Sequence, residues 1–561
     1  MTDLLTAIAV IFIIAGPFLL LANYLRLPTA PALIAAGLVA GAGPLEQVGI
    51  EPELTLEIAR LGIALLVFTF AVRIQTTDAR TVIADSEVVA LGQLAVLGIL
   101  GFGAGLVLGL PSEQAIFLGI AAAISSSIAG STLFLPGDLD LVHDRLSESI
   151  HSIQDFMALF LLLVVGAGTF VLEPIATQLG YGVMLLLLAI AINRYLFALI
   201  GWLSGGADES MLIGTVALLL LFLGAAEAVG LPIVVGAFAA GVAVHHDPVE
   251  YAGVINGLGS INDFFAAIFF LTIGALVTFP APDVIAMTLT LVFLAGVIKP
   301  ALTIALLMYK GYERRTATLT GFNLDQVGEF ALIIAIEALI LNLLIPSVFE
   351  AIILAAAITL ITSSFTRYYD EELYQTLANR GLLGRHGKSV ERWSSVPDAL
   401  TDHVVIIGYG RHGRRLVETC ETYDEPYVVI ESNPGQLEAL RADCQAYVFG
   451  DIVEAKTAEK AGIRDARLVI STADSRPVNN HVVGFTEWVD VIVRTKDRAS
   501  ARTYLEQGAL YVGVSDLLAA DRLEERFEAL LNGEYDHEAV RNEPREVAAN
   551  HRSEPRQWAR E

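Results

Sequence analysis

From Met1 to about Phe365 the chain is a succession of long apolar runs, and past Arg367 it turns polar and charged. That division constrains the fold more than any other feature. A helix needs about 20 apolar residues to cross the hydrocarbon of a bilayer, and lipid admits only helices or closed barrels as spanning forms. About thirteen such runs are recognisable, near 4–23, 29–43, 55–73, 88–110, 114–135, 147–171, 181–203, 209–229, 231–245, 257–279, 284–309, 316–341 and 345–366. The second and ninth are short. The first has neither a basic leading region nor a small-residue cleavage site, so it reads as a span and not as a secretory signal.

Charge then predicts the orientation. Arg26, Arg73 with Arg80, Arg145, Lys310 with Arg314 and Arg315, and Arg367 all follow odd-numbered spans. Loops after even spans carry PLEQVGIEPE, PSEQ and EP, which lack Lys and Arg. The positive-inside rule therefore expects a plasma-membrane protein with its N-terminus outside, an odd number of spans and the C-terminal domain in the cytoplasm. The net charge of −26 argues against a nucleic-acid partner. Asp and Glu number 61 against 35 Lys plus Arg, and only 6 of those are Lys. Such a balance fits a halophile's acidic surface, or simply an acidic cytosolic face. Cys420 and Cys444 both lie in the soluble part, and a disulfide framework is not indicated.

Two spans look interrupted. The fifth, GIAAAISSSIAGSTLFLPG, places Ser125, Ser126 and a third Ser at mid-membrane depth, with Gly on either side. The twelfth, LTGFNLDQVGEFALIIA, brings Asn323, Asp325, Gln326, Gly328 and Glu329 to similar depth. They lie an odd number of spans apart and so run in opposite senses. Paired interruptions in opposed halves point to a transporter site at the midplane. Close helix packing would explain the small residues but not the polar cluster.

In SESIHSIQDFMALFLLLVVGAG, residues 147–168, Gln154 and Asp155 stand inside a run that lipid should fill. A carboxylate there costs roughly 3 kcal/mol. Such a group holds a proton or a small cation but not both, and that competition suffices for exchange if access alternates. The alternative is a structural carboxylate with a permanent partner. Lys299 is the other mid-span charge; it pairs with Asp155, or else it bridges carbonyls of the broken helices. Glu329 and Asp325 balance half-helix dipoles, assist proton passage or serve structure alone. His151, one turn before Asp155, tunes the acid or is a satisfied interhelical histidine, and Glu227 reads as interfacial.

The soluble part opens with HVVIIGYGRHGRRLVETCETYDEPYVVIESNP. Strand 403–407 runs into Gly408-x-Gly410-x-x-Gly413, then a helix, then strand 427–430 ending in Glu431, an order that suits a dinucleotide-type ribose contact. Further strands at AYVFGD, ARLVISTAD, DVIVRTK and ALYVGV predict a doubly wound parallel sheet. The expected layout is a membrane domain at 1–370, a linker at 371–400, a nucleotide-binding domain at 401–517 and a charged tail at 518–561.

Taken together, AAAISSSIAGSTLF, SIQDFMALFLLL, LPIVVGAFAAGVAV, FFLTIGALV, VIKPALTIALL and LDQVGEFALII resemble the second family of monovalent cation:proton antiporters. The nearest subgroup is the Kef-type potassium efflux system, which ends in an RCK (TrkA-N-like) domain; VVIIGYGRHGRRL, VVIESNP, YVFGDI, AGIRDARLVIST and VRTKD carry that match. The resemblance implies a polytopic α-helical membrane domain of inverted repeats, with a dimerisation part beside a mobile core. Its crossing of two unwound helices corresponds to residues 124–131 and 323–328. It implies an ion- and proton-binding set of Asp155, Gln154, Lys299, Ser125, Ser126, Asp325, Gln326 and Glu329, with no resident metal. The Gln-Asp pair at 154–155 favours one-for-one exchange and K+ over Na+. A regulatory nucleotide, AMP or NAD(H), is implied at Gly408, Gly410, Arg411, His412, Gly413, Glu431 and Asp451 of an α/β Rossmann-like domain. A homodimer is implied, with an ancillary regulatory subunit as a possible partner.

Departures exist. PGDLDLVHDRLSES is more acidic than the subgroup leads one to expect, no basic glutathione pocket is evident, and a short charged tail stands where an RCK C-terminal subdomain often follows. A nucleotide-gated potassium channel is the alternative function. The GYG at 408–410 opens the dinucleotide fold, however, and no membrane loop offers a filter-like run. A dehydrogenase reading lacks a substrate domain, so no enzyme and no catalytic cofactor are expected.

Overall fold

The computed structural model describes residues 2–25, 29–42, 52–74, 83–125, 142–169, 171–197, 208–244, 252–277, 281–381, 394–397, 400–433, 436–473, 475–495 and 498–514, with six isolated positions between 517 and 532. The chain divides into two compact units, the first within Met1–Ser389 and the second from Val390 onward.

The described elements of the first unit are all helices. Its elements are α1 (Thr2–Leu25), α2 (Thr29–Gly41), α3 (Pro52–Ile74), α4 (Ile83–Val107), α5 (Ser112–Ala123), α6 (Val142–Gly166), α7 (Leu172–Ala191) and α8 (Asp208–Ala228). They continue as α9 (Ile233–Ala243), α10 (Ala252–Ala275), α11 (Pro282–Phe293), α12 (Lys299–Lys310), α13 (Arg314–Asn323), α14 (Glu329–Ile340), α15 (Pro346–Tyr368) and a short polar α16 (Asp370–Asn379). Described helix occupies each of the expected apolar runs. Among the described residues, seven stretches are long and apolar enough to cross a membrane, and five shorter apolar helices accompany them. The twelfth run is interrupted, α13 and α14 being separated by residues 324–328; in the fifth, α5 stops at Ala123, and of the expected unwound segment 124–131 only residues 124 and 125 are described.

Small residues draw the helices together, because apolar side chains gain nothing by leaving lipid for one another. A Cβ at Gly37 or Gly41 of α2 would run into the α10 backbone, and one at Gly274 of α10 would strike the Ile34 carbonyl. Gly101 and Gly105 of α4 abut Gly119 and Ala115 of α5 in the same manner. The contacts sort α1–α3 and α8–α10 into one set, and α4–α6 with α11–α15 into another. Phe70 of α3 meets Phe330 of α14 edge-on at 5.5 Å, and Phe238 of α9 meets Phe156 of α6 at 5.8 Å. Aromatic edges thus join the two sets.

Two spans contain a π-turn, at Ile192–Leu196 after α7 and at Leu294–Ile298 before α12. In the second, the Lys299 N–H reaches back five residues to the Leu294 carbonyl, and Pro300 has no N–H with which to restore the usual ladder. The widened turn re-aims Lys299. In the first, Asn193 Nδ2 donates to the Val242 and Val244 carbonyls at 3.0 and 2.8 Å, closing the end of the short α9.

The second unit carries a six-stranded parallel sheet of order β3-β2-β1-β4-β5-β6. The strands are β1 (His403–Ile407), β2 (Tyr427–Glu431), β3 (Tyr447–Phe449), β4 (Ala466–Ser471), β5 (Asp490–Thr495) and β6 (Tyr511–Val514). Every residue of β1 is buried, as a central parallel strand covered on both faces requires. Ser395 exchanges two backbone hydrogen bonds with Tyr447 and so covers the β3 edge.

The tight α2–α10 seam gives a stability test. Gly274→Ala should cost about 1–3 kcal/mol by overpacking and lower the thermal midpoint of the detergent-solubilised protein. Gly103→Ala, whose Cβ meets nothing within 4 Å, should not lower the midpoint, since Ala favours the helix more than Gly does.

Candidate functional site at the crossing of two interrupted helices

Interrupting a helix inside a membrane orphans backbone groups that water cannot reach, and each must find a partner in the protein. At the crossing they pair across the two breaks. The Gly328 N–H donates to the Ile124 carbonyl at 3.0 Å, and the Ser125 hydroxyl donates to the Leu324 carbonyl at 3.2 Å. Gly328 has no substitute here, since a Cβ would collide with the Ser125 carbonyl. α15 supplies the next partners: Thr359 Oγ1 accepts from the Val327 N–H at 3.0 Å, and Ser363 donates to Gln326 Oε1 at 3.0 Å. The Asn323 carbonyl, at the end of α13, accepts from Gln326 Nε2 at 3.2 Å and from Arg367 at 3.1 Å.

Lys299 joins the breaks. Its Nζ is fully buried and donates to the Ile124 carbonyl at 3.2 Å and the Gln326 carbonyl at 2.8 Å. The carbonyl bridge, one of the two arrangements expected for this residue, is present. The cation sits where two half-helix carbonyl ends concentrate negative potential. Asp325 lies within electrostatic range of both Lys299 and Arg367.

Gln154 and Asp155 reach the crossing from α6. The Ser125 N–H, which lost its helical acceptor at the break, donates to Gln154 Oε1 at 3.0 Å. Gln154 Nε2 donates to Gln93 Oε1 of α4 and lies 3.5 Å from the Ala123 carbonyl. Its carboxamide therefore stands in for the missing helical turn. Asp155 beside it has no solvent-exposed surface. His151 is also buried, and its Nε2 makes no hydrogen bond among the described residues. Glu329 is buried in the first turn of α14, where an acid suits the positive end of the half-helix. Glu227 is exposed, as expected for an interfacial residue. Ser126 lies outside the described residues.

Of the expected set, Asp155, Gln154, Lys299, Ser125, Asp325, Gln326 and Glu329 are all buried, and hydrogen bonds gather Gln154, Ser125, Lys299 and Gln326 around the crossing. Sequence reasoning missed Gln93, Thr303, Thr359, Ser363 and Asn193. Gln93 and Asn193 were visible as amides inside apolar runs. The hydroxyls give no such signal, because helical Ser and Thr in lipid ordinarily bond back one turn, as Thr359 does to the Ala355 carbonyl at 2.7 Å.

In the second unit the Gly-rich turn is tightly wound against β1. Gly408 adopts a left-handed φ of +91°, and a Cβ on Gly413 would collide with the Gly408 carbonyl, so helix Arg411–Thr422 packs directly on β1. Gly410 caps that helix, and a Cβ there would enter open space. Glu431 closes β2; one carboxylate oxygen accepts from the Tyr409 N–H at 2.6 Å, the other from the Ser432 N–H at 2.8 Å. Asp451 is buried just past β3, accepting from the Val453 N–H at 3.1 Å, and His412 is exposed on the helix. The Arg411 side chain lies outside the described residues.

Because Lys299 satisfies carbonyls of both breaks, Lys299→Leu should cost about 1–3 kcal/mol and lower the thermal midpoint of the purified protein. Asp155→Asn removes neither bridge and should not lower it. Equal losses from the two substitutions would instead mark Lys299 as a counter-charge for Asp155.

Residues 7–368 match the transmembrane sodium/hydrogen exchanger family, and residues 404–514 match the TrkA-N domain. YbaL of Escherichia coli (strain K12), named for cation/proton antiport, is 26% identical over 84% of this chain and 87% of its own. KefB of Alkalimonas amylolytica, named for K+ efflux antiport, is 26% identical over 87% of this chain and 75% of its own. Among solved structures, the sodium proton antiporter MjNhaP1 of Methanocaldococcus jannaschii aligns with a TM-score of 0.49 at 16% identity, covering 68% of this chain and 100% of that one. The chain is a membrane protein of the sodium/hydrogen exchanger family, a Kef-type cation/proton antiporter relative with a C-terminal TrkA-N domain.

Proposed function

We propose that this chain exchanges K+ for protons one for one, with Asp155 as the carboxylate for which the two ions compete. The observation that carries the reading is the buried Gln154–Asp155 pair beside two interrupted helices that Lys299 ties together. A proton on Asp155 neutralises its carboxylate. A bound cation replaces that proton, so the occupied site carries the same charge in both states, and movement across the membrane needs no net charge transfer. Lys299 and the half-helix dipoles fix the local field in which this exchange occurs. Gln154 supports K+ over Na+ by the resemblance of the Gln-Asp pair to the potassium-efflux pattern, and the name of the KefB relative agrees. Asp325, Gln326, Glu329 and Ser125 complete the polar lining on this reading.

The apolar, aromatic joints between the two helix sets suit a core that slides past a scaffold, giving access to each side in turn. The positive loops support an orientation with the N-terminus outside and the second unit in the cytoplasm, and on this reading the protein acts as a homodimer. AMP or NAD(H) binds at Gly408, Gly410 and Gly413, with its phosphates on the N-terminus of the helix opening at Arg411 and its ribose at Glu431, and sets the transport rate.

Proteoliposomes holding an interior acid gradient test both parts. Addition of KCl should collapse the gradient in wild type at a rate independent of clamped membrane potential, NaCl should act more weakly, and Asp155→Asn should be inactive. Potassium flux with no proton movement would replace this reading with a channel. AMP or NADH should change the wild-type rate, while Gly410→Val, which fills the open space at the helix cap without a backbone collision, should transport but ignore the nucleotide.

A further inference from the structure

A buried chain of hydrogen bonds runs from α12 to Gln154 and the first break through Thr303 and Gln93, which the proposed exchange does not use. The Thr303 hydroxyl donates to the Lys299 carbonyl at 2.8 Å. Its one hydrogen is thereby spent, so toward Gln93 the hydroxyl oxygen can only accept, and Gln93 Nε2 donates to it. The Gln93 amide is thus oriented with Oε1 toward Gln154, where it accepts from Gln154 Nε2. Gln154 in turn must present Oε1 to the Ser125 N–H at 3.0 Å. Both ends of the relay are backbone groups, a carbonyl that can only accept and an N–H that can only donate. The orientation of two side-chain amides is therefore set by chemistry that cannot reverse. Gln93, Thr303 and Gln154 are all buried, so water offers no alternative partner.

We propose that Gln93 is a positioning residue that sets cation affinity and the preference between K+ and Na+, acting through the Gln154 carboxamide. The juxtaposition that carries this is a one-way relay from the Lys299 carbonyl through Thr303, Gln93 and Gln154 to the Ser125 N–H at the break. A site for a bare monovalent cation must present oxygen, and a flipped Gln154 would present its NH2 group to both the break and the ion. Gln93 makes the flip costly: it would set Gln154 oxygen against Gln93 oxygen and NH2 against N–H. Without Gln93 the amide loses one of the contacts that hold it, and the break at Ser125 loses its fixed acceptor. Cation binding weakens, and the discrimination that depends on a cage of fixed size relaxes. This inference rests on the antiport reading for its transport readout but not for its binding readout.

The test uses the full-length protein in two formats: proteoliposome antiport, read as apparent KM and maximal rate for K+ and Na+, and thermal stabilisation by KCl or NaCl in detergent. Gln93→Leu removes one ordinary hydrogen-bond pair and should raise the K+ concentration for half-effect about tenfold in both formats. The maximal rate should fall much less, and the K+/Na+ ratio should shrink. Thr303→Val should do the same, Gln93→Leu with Thr303→Val should be no worse than either alone, and Thr303→Ser should recover most of the loss. Gln93→Glu provides a signature that a merely structural role does not produce. Its protonated form can donate to Thr303 and accept from Gln154, whereas its ionised form can only accept. Affinity should therefore stay near wild type in acid and fall as pH rises, a pH dependence that Gln93→Leu lacks.

The proposal is overturned if Gln93→Leu and Thr303→Val lower the maximal rate with KM unchanged, if their effects add, or if Gln93→Glu follows the wild-type pH profile. A wild type that moves no cation against protons but is stabilised by K+ overturns the antiport reading alone, and the variants' stabilisation curves then decide the role of Gln93.

Discussion

Everything at the centre of the membrane unit depends on one requirement: two broken helices in lipid must satisfy their own backbone. Residues 124–125 and 324–328 do so mainly with each other, through the Gly328 N–H on the Ile124 carbonyl and the Ser125 hydroxyl on the Leu324 carbonyl. Lys299 then adds a charge-assisted bond to each break. The polar groups that lipid would exclude are held at one depth, and the same arrangement offers a buried place for an ion.

That requirement also explains the surroundings. Pro300 forces the π-turn that re-aims Lys299, and Gly328 gives the clearance for the Ser125 carbonyl to approach. Gln154 replaces a lost helical turn, Gln93 and Thr303 hold Gln154, and Thr359, Ser363 and Arg367 close the second break from α15. Asn193 repeats the device elsewhere, with a π-turn aiming a polar side chain at the open end of the short α9. A site built this way is stiff inside the core. The aromatic edges at Phe70–Phe330 and Phe156–Phe238 mark where the core meets its neighbours.

Much of this was legible in the residues, for reasons that can be named. Apolar run length exposes helices because the hydrocarbon thickness is fixed, and the Gly spacing after β1 exposes the nucleotide fold because only Gly tolerates φ of +91° beside a packed helix. Asp155 and Lys299 stood out as charges at a depth where charge is expensive. The partner of Lys299 did not, since backbone carbonyls carry no letter in the sequence and both arrangements conform to the same pattern. Gln93 is 61 residues from Gln154 and 210 from Thr303, so nothing local relates them. The π-turns were also missed, although Pro300 signals one of them.

The claim on which the account turns is that cation and proton compete for Asp155, and proton release on cation binding measures it without any membrane. Purified protein in weakly buffered detergent solution should release close to one proton per bound K+, detected by a pH dye, and Asp155→Asn should release none. Release of the same size from Asp155→Asn, or K+ binding to wild type with no release, would contradict the account and move the shared site to another carboxylate.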